Sequence, residues 1–265
     1  MTDAAKPEAD PMAAGLAGRH AFVTGGGTGI GAAIALALAR NGAKVTISGR
    51  RQAPLDDIAA QSGAIRTVTH DVADEAATLS ALGQAVDASG DIDILVANAG
   101  IAETMPIGKA DLAFWRRTMA INLDGAYVTM RAVVPGMIEK GWGRIIAIAS
   151  VAGQKGLPRG TAYCASKHGL IGLCRALAEE TVHTGITVNA LCPGYVRTPI
   201  VDRGVDNIVE KTGMSSEAAL KAMTDTNPIG RLIEPEEVAD AALFLCGTGS
   251  AAINGQALQI AGGHV

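Results

Sequence analysis

Aromatic residues and clustered metal or disulfide ligands are scarce in this 265-residue chain. Phe, Trp and Tyr make up 3% of the residues although 48% are hydrophobic, so the core has to be built from aliphatic side chains and alanine. The five histidines form no HExxH motif, and the four cysteines (Cys164, Cys174, Cys192 and Cys246) have no CxxC spacing. We therefore expect neither a disulfide framework nor a bound metal.

Long apolar runs and clusters of positive charge are missing as well. The longest apolar run, 32–39, stops at Arg40, far short of the about 20 residues that a membrane-spanning helix needs. The net charge is −4 without a Lys/Arg run, which disfavours nucleic acid as a partner. The first dozen residues are polar, unlike a secretory signal. We expect a cytoplasmic protein with a small-molecule substrate, and a flexible N-terminal extension over 1–17.

Seven short apolar segments alternate with stretches long enough for helices. Each segment is apolar on both faces, which is typical of parallel strands covered on both sides. In order they are HAFVTG, AKVTISG, AIRTVTHDV, IDILVANAG, GRIIAIAS, GITVNALCPG and GQALQIAGG. The pattern predicts a single α/β domain over 18–265, a doubly wound (Rossmann) parallel sheet. Ligands of such sheets bind at the carboxyl ends of the strands.

A glycine-rich turn, VTGGGTGIG, follows the first predicted strand and opens the first predicted helix. Glycines there allow a tight turn and close approach of a pyrophosphate, which the free N–H groups of the helix N-terminus attract. The turn predicts a dinucleotide site, with a purely structural turn as the alternative. The candidate residues are Gly25, Gly27, Thr28, Gly29, Ile30 and Gly31.

The end of the second predicted strand bears on the choice of dinucleotide. It reads SGRR, with no acid before Asp56, whereas a carboxylate there would bind the ribose hydroxyls of NAD. The Arg50 guanidinium can bind the 2′-phosphate of NADP. We favour NADP, with NAD as the alternative, because Arg50 and Arg51 can equally be solvated residues at a helix start.

The stretch TAYCASKHG places Tyr163 and Lys167 four residues apart among small neighbours. With TGGGTGIG, NAG at 98–100, Ser150 and PG at 193–194, this ordered set resembles the short-chain dehydrogenase/reductase family. The resemblance covers about 18–263. It implies a seven-stranded parallel sheet, often in a tetramer, and hydride transfer between a nicotinamide cofactor and a carbonyl or secondary alcohol.

The resemblance also implies roles for four residues. Tyr163 would be the proton donor or base, and Ser150 would hold the substrate oxygen. Asn122 would extend a proton relay from Lys167 through its backbone carbonyl, with a helix bend or cap as the alternative. An ammonium about 4 Å from a phenol supplies about 4 kcal/mol, enough to lower the phenol pKa by about 3 units. We therefore expect Lys167, one helical turn after Tyr163, to lower the pKa of Tyr163.

Further cofactor contacts follow from the same resemblance. The matching residues are Asp71, Val72, Asn98, Ala99, Gly100, Pro193, Gly194, Val196 and Thr198, in addition to Tyr163 and Lys167. One feature departs from many NADP-dependent members, because Thr28 stands where they carry a basic residue. That departure keeps NAD open.

The segment 199–231 is long for a connection, and the resemblance implies that it forms a lid over the substrate. Alternatively, its apolar residues only dock two short helices on the body of the protein. The C-terminal half is similar to 3-oxoacyl-thioester reductases, polyketide ketoreductases and 3-hydroxybutyrate dehydrogenases. We expect NADPH-dependent reduction of a 3-oxoacyl thioester. The first alternative is NAD-dependent oxidation of a small secondary alcohol or 3-hydroxy acid. A non-catalytic cofactor-binding regulator is a less favoured alternative, because Tyr163 and Lys167 are both present.

Overall fold

The computed structural model describes residues 15–225 and 227–263. Strands and helices alternate along the chain, as the sequence pattern predicts. The strands are β1 (His20–Thr24), β2 (Lys44–Gly49), β3 (Ile65–Thr69), β4 (Ile94–Ala97), β5 (Gly143–Ile148), β6 (Ile186–Pro193) and β7 (Ala257–Ile260). The helices are α1 (Gly29–Arg40), α2 (Gln52–Ala59), α3 (Glu75–Ser89), α4 (Leu112–Met119), α5 (Gly125–Lys140), α6 (Thr161–Glu180), α7 (Pro199–Thr212), α8 (Ser216–Thr224) and α9 (Pro235–Cys246).

The seven strands form one parallel sheet in the order β3-β2-β1-β4-β5-β6-β7. The predicted doubly wound fold is therefore confirmed. The chain leaves β1 toward β2 on one side and later returns to place β4 on the other. This reversal of strand order opens a crevice at the carboxyl ends of β1 and β4, where such folds bind their ligands.

Two aliphatic cores cover the two faces of the sheet. One lies under α1 and α9, with Ile34, Ile47 and Val238 fully buried. The other lies under α3, α5 and α6, with Phe22, Met137 and Ile145 fully buried. Helix α1 is apolar on all sides because it packs between the sheet and α9.

Two segments add detail to the sequence expectation. The stretch between β4 and β5 holds two helices, because a π-helical turn, Ala120–Asp124, divides α4 from α5. Of the expected N-terminal extension, residues 1–14 lie outside the described residues. Leu16 is buried in the core beneath α1, so the described chain joins the core before Gly18. No helix among the described residues is long and apolar enough to cross a membrane.

Candidate active site

Tyr163 and Ser150 meet at the carboxyl end of β5. Ser150 ends the strand and begins the short turn Val151–Gly153, and its Oγ accepts the Ala152 N–H at 3.1 Å. This bond leaves the hydroxyl proton free to donate to the Tyr163 phenol. Burial raises the pKa of Tyr163, and the hydrogen bond from Ser150 lowers it in part. The pair can hold a substrate oxygen between two hydroxyl groups.

Lys167 lies on the same face of α6 as Tyr163, and its ammonium lies over the Tyr163 ring. Its Nζ lies 6.0 Å from the centre of the Tyr163 ring and donates to the carbonyl oxygen of Ile148 at 2.7 Å. Burial lowers the pKa of Lys167 to about 8. The expected net lowering of the Tyr163 pKa is therefore not found, because burial raises it. A buried ammonium needs acceptors, and the β5 carbonyl provides one.

Asn122 lies in the π-helical turn and fastens the loop after β4. Its side-chain amide exchanges two hydrogen bonds with the backbone of Ile101, at 2.8 and 2.9 Å. Its Nδ2 also donates to Ser166 Oγ at 3.1 Å, and that hydroxyl donates to the Tyr163 carbonyl at 2.7 Å. The helix bend that was the alternative interpretation of Asn122 is thus present. The side chain links the β4 loop to the helix that carries Tyr163.

The glycines of the glycine-rich turn stand where a side chain would be strained or crowded. Gly25 and Gly29 have positive φ angles of 65° and 56°, which a residue with a Cβ rarely adopts. A Cβ on Gly31 would lie 2.4 Å from Asn98 Nδ2 and 2.4 Å from the Gly25 carbonyl oxygen. Thr28 begins α1 without a side-chain cap, and the first turn of α1 holds no acid. The first turn of α1, with no side-chain cap and no acid, therefore fits an anionic dinucleotide.

The remaining members of the turn pack on neighbouring elements. A Cβ on Gly29 would lie 2.9 Å from Thr198 Cγ2, and one on Gly27 would lie 3.2 Å from the Pro54 backbone. Ile30 is partly buried against the core beneath α1. The turn is thus enclosed by α2 on one side and by the loop after β6 on the other.

Asn98 holds β4 to the glycine-rich turn. Its Nδ2 donates to the carbonyl oxygens of Thr24 and Gly25 at 2.8 and 3.1 Å. The backbone N–H groups of Asn98 and Ala99 both donate to Thr24 Oγ1 at 3.0 Å. Gly100 follows, where a Cβ would lie 3.2 Å from Asn122 Oδ1 and 3.6 Å from Lys167 Nζ. The NAG motif therefore joins the glycine-rich turn to α6, the helix that carries Tyr163 and Lys167.

Arg50 and Asp71 face each other across the ends of β2 and β3. Their closest nitrogen and oxygen are 4.0 Å apart, and the Arg50 side chain is 65% exposed. Asp71 also accepts the Ala73 N–H at 3.0 Å, which shapes the turn after β3. Val72 packs closely on Gly125 at the start of α5. Because Arg50 is mostly exposed and its closest approach to Asp71 is 4.0 Å, it can turn toward an anion beside the glycine-rich turn.

The loop after β6 closes the other side of the crevice. Pro193 is the last residue of β6, and the Gly194 N–H donates to the Ile260 carbonyl at 3.0 Å. Val196 is buried and pairs with Ile233. Thr198 begins α7, and its hydroxyl donates to the Val196 carbonyl at 3.2 Å. The described contacts show how this loop is held beside Gly29.

The expected lid consists of α7 and α8. Val201, Val205 and Ala219 are buried between the two helices together with Leu232. Other apolar residues of the segment remain exposed, including Ile200 at 40% and Met214 at 45%. The packing between α7 and α8 therefore buries only part of the apolar residues in the segment 199–231.

Three contributors have no clear mark in the sequence. A Cβ on Gly26 would lie 2.6 Å from Ile47 Cβ, so this glycine lets the turn pack on β2. Thr24 provides the hydroxyl that both amides of the NAG motif contact. Asn227 is buried and donates to the carbonyls of Tyr195 and Arg231. The run of three glycines is the only sequence signal for Gly26, and the Asn-Pro pair in TNPIG is the only one for Asn227.

The crevice therefore brings together Ser150, Tyr163, Lys167 and Asn122 near a glycine-built cradle for an anion. Among the described ranges, no group of three or more His, Cys, Asp or Glu side chains is placed to hold a metal ion. The arrangement can bind a dinucleotide and move a proton at an oxygen held between Ser150 and Tyr163.

Comparison with known proteins identifies relatives over nearly the whole chain. The family model for short chain dehydrogenases matches residues 19–208. A D-beta-hydroxybutyrate dehydrogenase of Rhizobium meliloti is 37% identical over 256 residues, which cover 92% of this chain and 98% of that enzyme. A 2-keto-3-deoxy-L-fuconate dehydrogenase of Xanthomonas campestris is 40% identical, covering 94% of this chain and 80% of that enzyme.

Solved structures show the same similarity. A single-residue variant of the actinorhodin polyketide ketoreductase, solved with NADPH, has a TM-score of 0.89 and 35% identity, covering 92% of this chain and 96% of that one. A 3-ketoacyl-(acyl-carrier-protein) reductase from Brucella melitensis, complexed with NADH, has a TM-score of 0.85 and 32% identity. The match covers 94% of this chain and 99% of the Brucella chain.

Proposed function

Because the chain belongs to the short-chain dehydrogenase/reductase family, and so is an oxidoreductase that acts on a hydroxyl or carbonyl group with a nicotinamide cofactor, we propose that it reduces a 3-oxoacyl thioester with NADPH. The observation that carries the reaction type is the Ser150–Tyr163 hydroxyl pair beside the glycine-built cradle. The similarity to ketoacyl reductases and polyketide ketoreductases supports the substrate class.

The proposed roles in reduction follow from the contacts. A reduced nicotinamide, when bound, would supply the hydride for the carbonyl carbon. Ser150 holds the carbonyl oxygen by a hydrogen bond, and Tyr163 gives its phenolic proton to that oxygen as the C–O double bond becomes a single bond. Lys167 carries a positive charge one helical turn away and stabilises the resulting phenolate. Asn122 fixes the loop that lies against both.

The proposed cofactor residues divide into two groups. The amides of Gly25, Thr28, Gly29, Ile30 and Gly31, with Gly27 at the turn, would hold the pyrophosphate. The residues proposed around the rest of the dinucleotide are Arg50, Asp71, Val72, Asn98, Ala99, Gly100, Pro193, Gly194, Val196 and Thr198. Arg50 supports NADP because its exposed guanidinium stands where an NAD-binding site would carry an acid.

A second function is supported by the relatives. The D-beta-hydroxybutyrate dehydrogenase and a D-threitol dehydrogenase of Mycolicibacterium smegmatis, 40% identical, act on small alcohols by their names. The alternative is therefore NAD-dependent oxidation of a small secondary alcohol or 3-hydroxy acid. The absence of a basic residue at Thr28 is consistent with this alternative.

We also propose a cytoplasmic homo-oligomer, a tetramer by family resemblance. The α5–α6 face has a groove of about 320 Å³ lined by Tyr127, Val134 and Leu173, and Tyr127 is 47% exposed. An apolar groove across two helices suits burial against a second copy of the chain. The molar mass from light scattering tests this: about 108 kDa, four times the 26.9 kDa chain mass, is expected, and about 27 kDa would contradict it.

Initial rates test the proposed reaction. Acetoacetyl-CoA is offered with NADPH and NADH, and 3-hydroxybutyrate and threitol with both oxidised cofactors. We expect NADPH oxidation with the thioester, and a 10- to 100-fold higher KM for NADPH, the range of about one charge-assisted bond, in Arg50→Ala. Arg51→Ala is the matched control, and its KM values for NADPH and NADH should be unchanged. Turnover of alcohols with NAD alone would replace the thioester by the alternative.

A further inference from the structure

Arg159 has a backbone conformation that its side chain disfavours. Its φ is 63°, and every other described residue with a positive φ is a glycine. A non-glycine residue pays conformational free energy for the left-handed region, whereas glycine enters it freely. Such residues cluster at functional sites, where the surroundings enforce them. The choice of arginine here calls for a reason beyond the shape of the turn.

The surroundings of Arg159 hold this conformation firmly. Its carbonyl accepts the Met105 N–H at 2.8 Å, which ties the loop before α6 to the loop after β4. On the C-terminal side, the Gly160 N–H donates to the Leu157 carbonyl at 3.0 Å. The Leu157 N–H in turn donates to Cys164 Sγ at 3.3 Å, in the first turn of α6. The backbone of Arg159 is therefore a rigid base for its side chain.

The location relates Arg159 to the reacting groups. It lies in the connection between Ser150 and Tyr163, four residues before the phenol and one before the N-cap of α6. The Met105 loop that it contacts is the one that Asn122 fastens through Ile101. Arg159 thus lies where two loops meet at the edge of the Ser150–Tyr163 site.

The charge of Arg159 has no partner in the described part of the chain. Its side chain is exposed, and none of the ion pairs or side-chain hydrogen bonds between described residues includes its guanidinium. The acid of the adjoining loop, Glu103, is paired with Arg117. An unpaired guanidinium on a rigid base is suited to bind an anion, bidentately if it is a phosphate or carboxylate.

We propose that Arg159 is a specificity-determining residue that binds an anionic group of the substrate at a distance from the reacting carbonyl. This inference rests on the proposed function, and it adds that the preferred substrates carry a negative charge. The anion has two sources among the substrates considered: the phosphates of a CoA thioester, or the carboxylate of a free 3-oxo acid. Arg159 acts on binding, whereas Ser150 and Tyr163 act on the reacting oxygen.

The test separates charge from backbone conformation. Arg159→Asn removes the charge but suits the left-handed region, which asparagine tolerates. Arg159→Lys keeps the charge with the same backbone cost. Arg66→Asn, in the exposed part of β3, is the matched control for loss of a surface charge. Each variant is assayed with acetoacetyl-CoA, acetoacetate and the uncharged thioester acetoacetyl-N-acetylcysteamine.

We expect Arg159→Asn to lower kcat/KM about 10- to 100-fold, mainly through KM, for the substrates whose anion is bound. The uncharged thioester should change less than twofold, Arg159→Lys should retain part of the effect, and Arg66→Asn none. A loss confined to acetoacetyl-CoA identifies the phosphates, and one confined to acetoacetate identifies the carboxylate. Equal losses on all three substrates, or no loss, would overturn the proposal.

A binding measurement distinguishes failure of this inference from failure of the proposed function. If the wild-type protein reduces none of the three substrates, the proposed function fails. Calorimetric titration with CoA and with butyrate, in the presence of NADP and of NAD, then decides about Arg159. At least one of the two anions should bind about 10-fold more weakly to Arg159→Asn. Equal affinities of the two proteins, or no binding to either, would overturn the inference.

Discussion

Lys167 donates a hydrogen bond from its ammonium to the carbonyl oxygen of Ile148 at 2.7 Å, while the same nitrogen lies 6.0 Å from the centre of the Tyr163 ring one turn earlier on the helix. Burial raises the pKa of Tyr163 and lowers that of Lys167 to about 8. The phenol is therefore a proton donor in this state, as reduction requires. The lysine retains its charge only below about pH 8, so its contribution depends on pH within the working range.

The first prediction concerns this pH dependence. Reduction should slow as the pH rises through about 8, because Lys167 loses the charge that stabilises the phenolate formed on proton transfer. Lys167→Arg, which stays charged, should be slower overall but lose the inflection. Lys167→Met should lose about 10²- to 10⁴-fold in kcat, the range of general acid–base catalysis. The kcat profile between about pH 6 and 10 checks this, and a wild-type inflection that survives in Lys167→Arg would contradict it.

The second prediction concerns the cradle. Gly31→Ala would place a Cβ 2.4 Å from Asn98 Nδ2 and from the Gly25 carbonyl oxygen. Either Asn98 or the turn must move, so we expect a loss of about 2 kcal/mol or more in unfolding free energy and at least tenfold weaker cofactor binding. Urea unfolding and fluorescence titration measure the two effects.

Gly83→Ala is the control for the cradle. Gly83 lies inside α3, is exposed, and has no atom within 4 Å of an added Cβ. The substitution should stabilise the protein by about 0.5–1 kcal/mol through helix propensity and leave cofactor binding unchanged. Unchanged cofactor affinity in Gly31→Ala would show that the turn tolerates a Cβ, against the packing described above.

The third prediction concerns acid stability. His20 and His70 are buried, and burial lowers the pKa of each. Below about pH 6.5 both imidazoles become protonated in the unfolded chain, whereas in the folded chain they stay neutral to lower pH. The free energy of unfolding should therefore fall as the pH drops below about 6.5. His70 is the clearer case, because neither ring nitrogen has a hydrogen-bond partner among the described residues.

His70→Phe tests that contribution. The His70 ring already packs near Phe22, with centroids 6.4 Å apart, and phenylalanine removes the titration while keeping an aromatic ring. The variant should lose less stability than the wild type between about pH 7 and 5, as measured by denaturant unfolding. His183→Gln, at an exposed position, should follow the wild-type curve. Parallel curves for all three proteins would rule out His70 as a source of the acid effect.

Much of the fold follows from the sequence because its signals are local. Strands that are apolar on both faces predict a covered parallel sheet, and the sheet order agrees with that prediction. The conformation of the glycine-rich turn is equally local, since Gly25 and Gly29 adopt positive φ angles that favour glycine. Such features are decided within a few residues of the chain.

The details that the sequence did not predict depend on distant partners. Spacing places Lys167 on the face of Tyr163 but does not specify that a β5 carbonyl takes the ammonium. The cross-link from Asn98 to Thr24 spans 74 residues. Arg159 follows Pro158 and precedes Gly160, a sequence typical of turns, yet arginine gives no sign of a left-handed backbone. These features depend on tertiary contacts rather than on local pattern.

Tyr163 is the residue that we propose transfers the proton in a nicotinamide-dependent carbonyl reduction. The most direct test is the initial rate of NADPH oxidation with acetoacetyl-CoA for the wild type and Tyr163→Phe, with the NADPH dissociation constant of each measured by fluorescence. We expect a rate lower by about 10³-fold or more in Tyr163→Phe, with the NADPH dissociation constant changed less than about threefold. A variant that keeps more than about a tenth of the wild-type rate would contradict it.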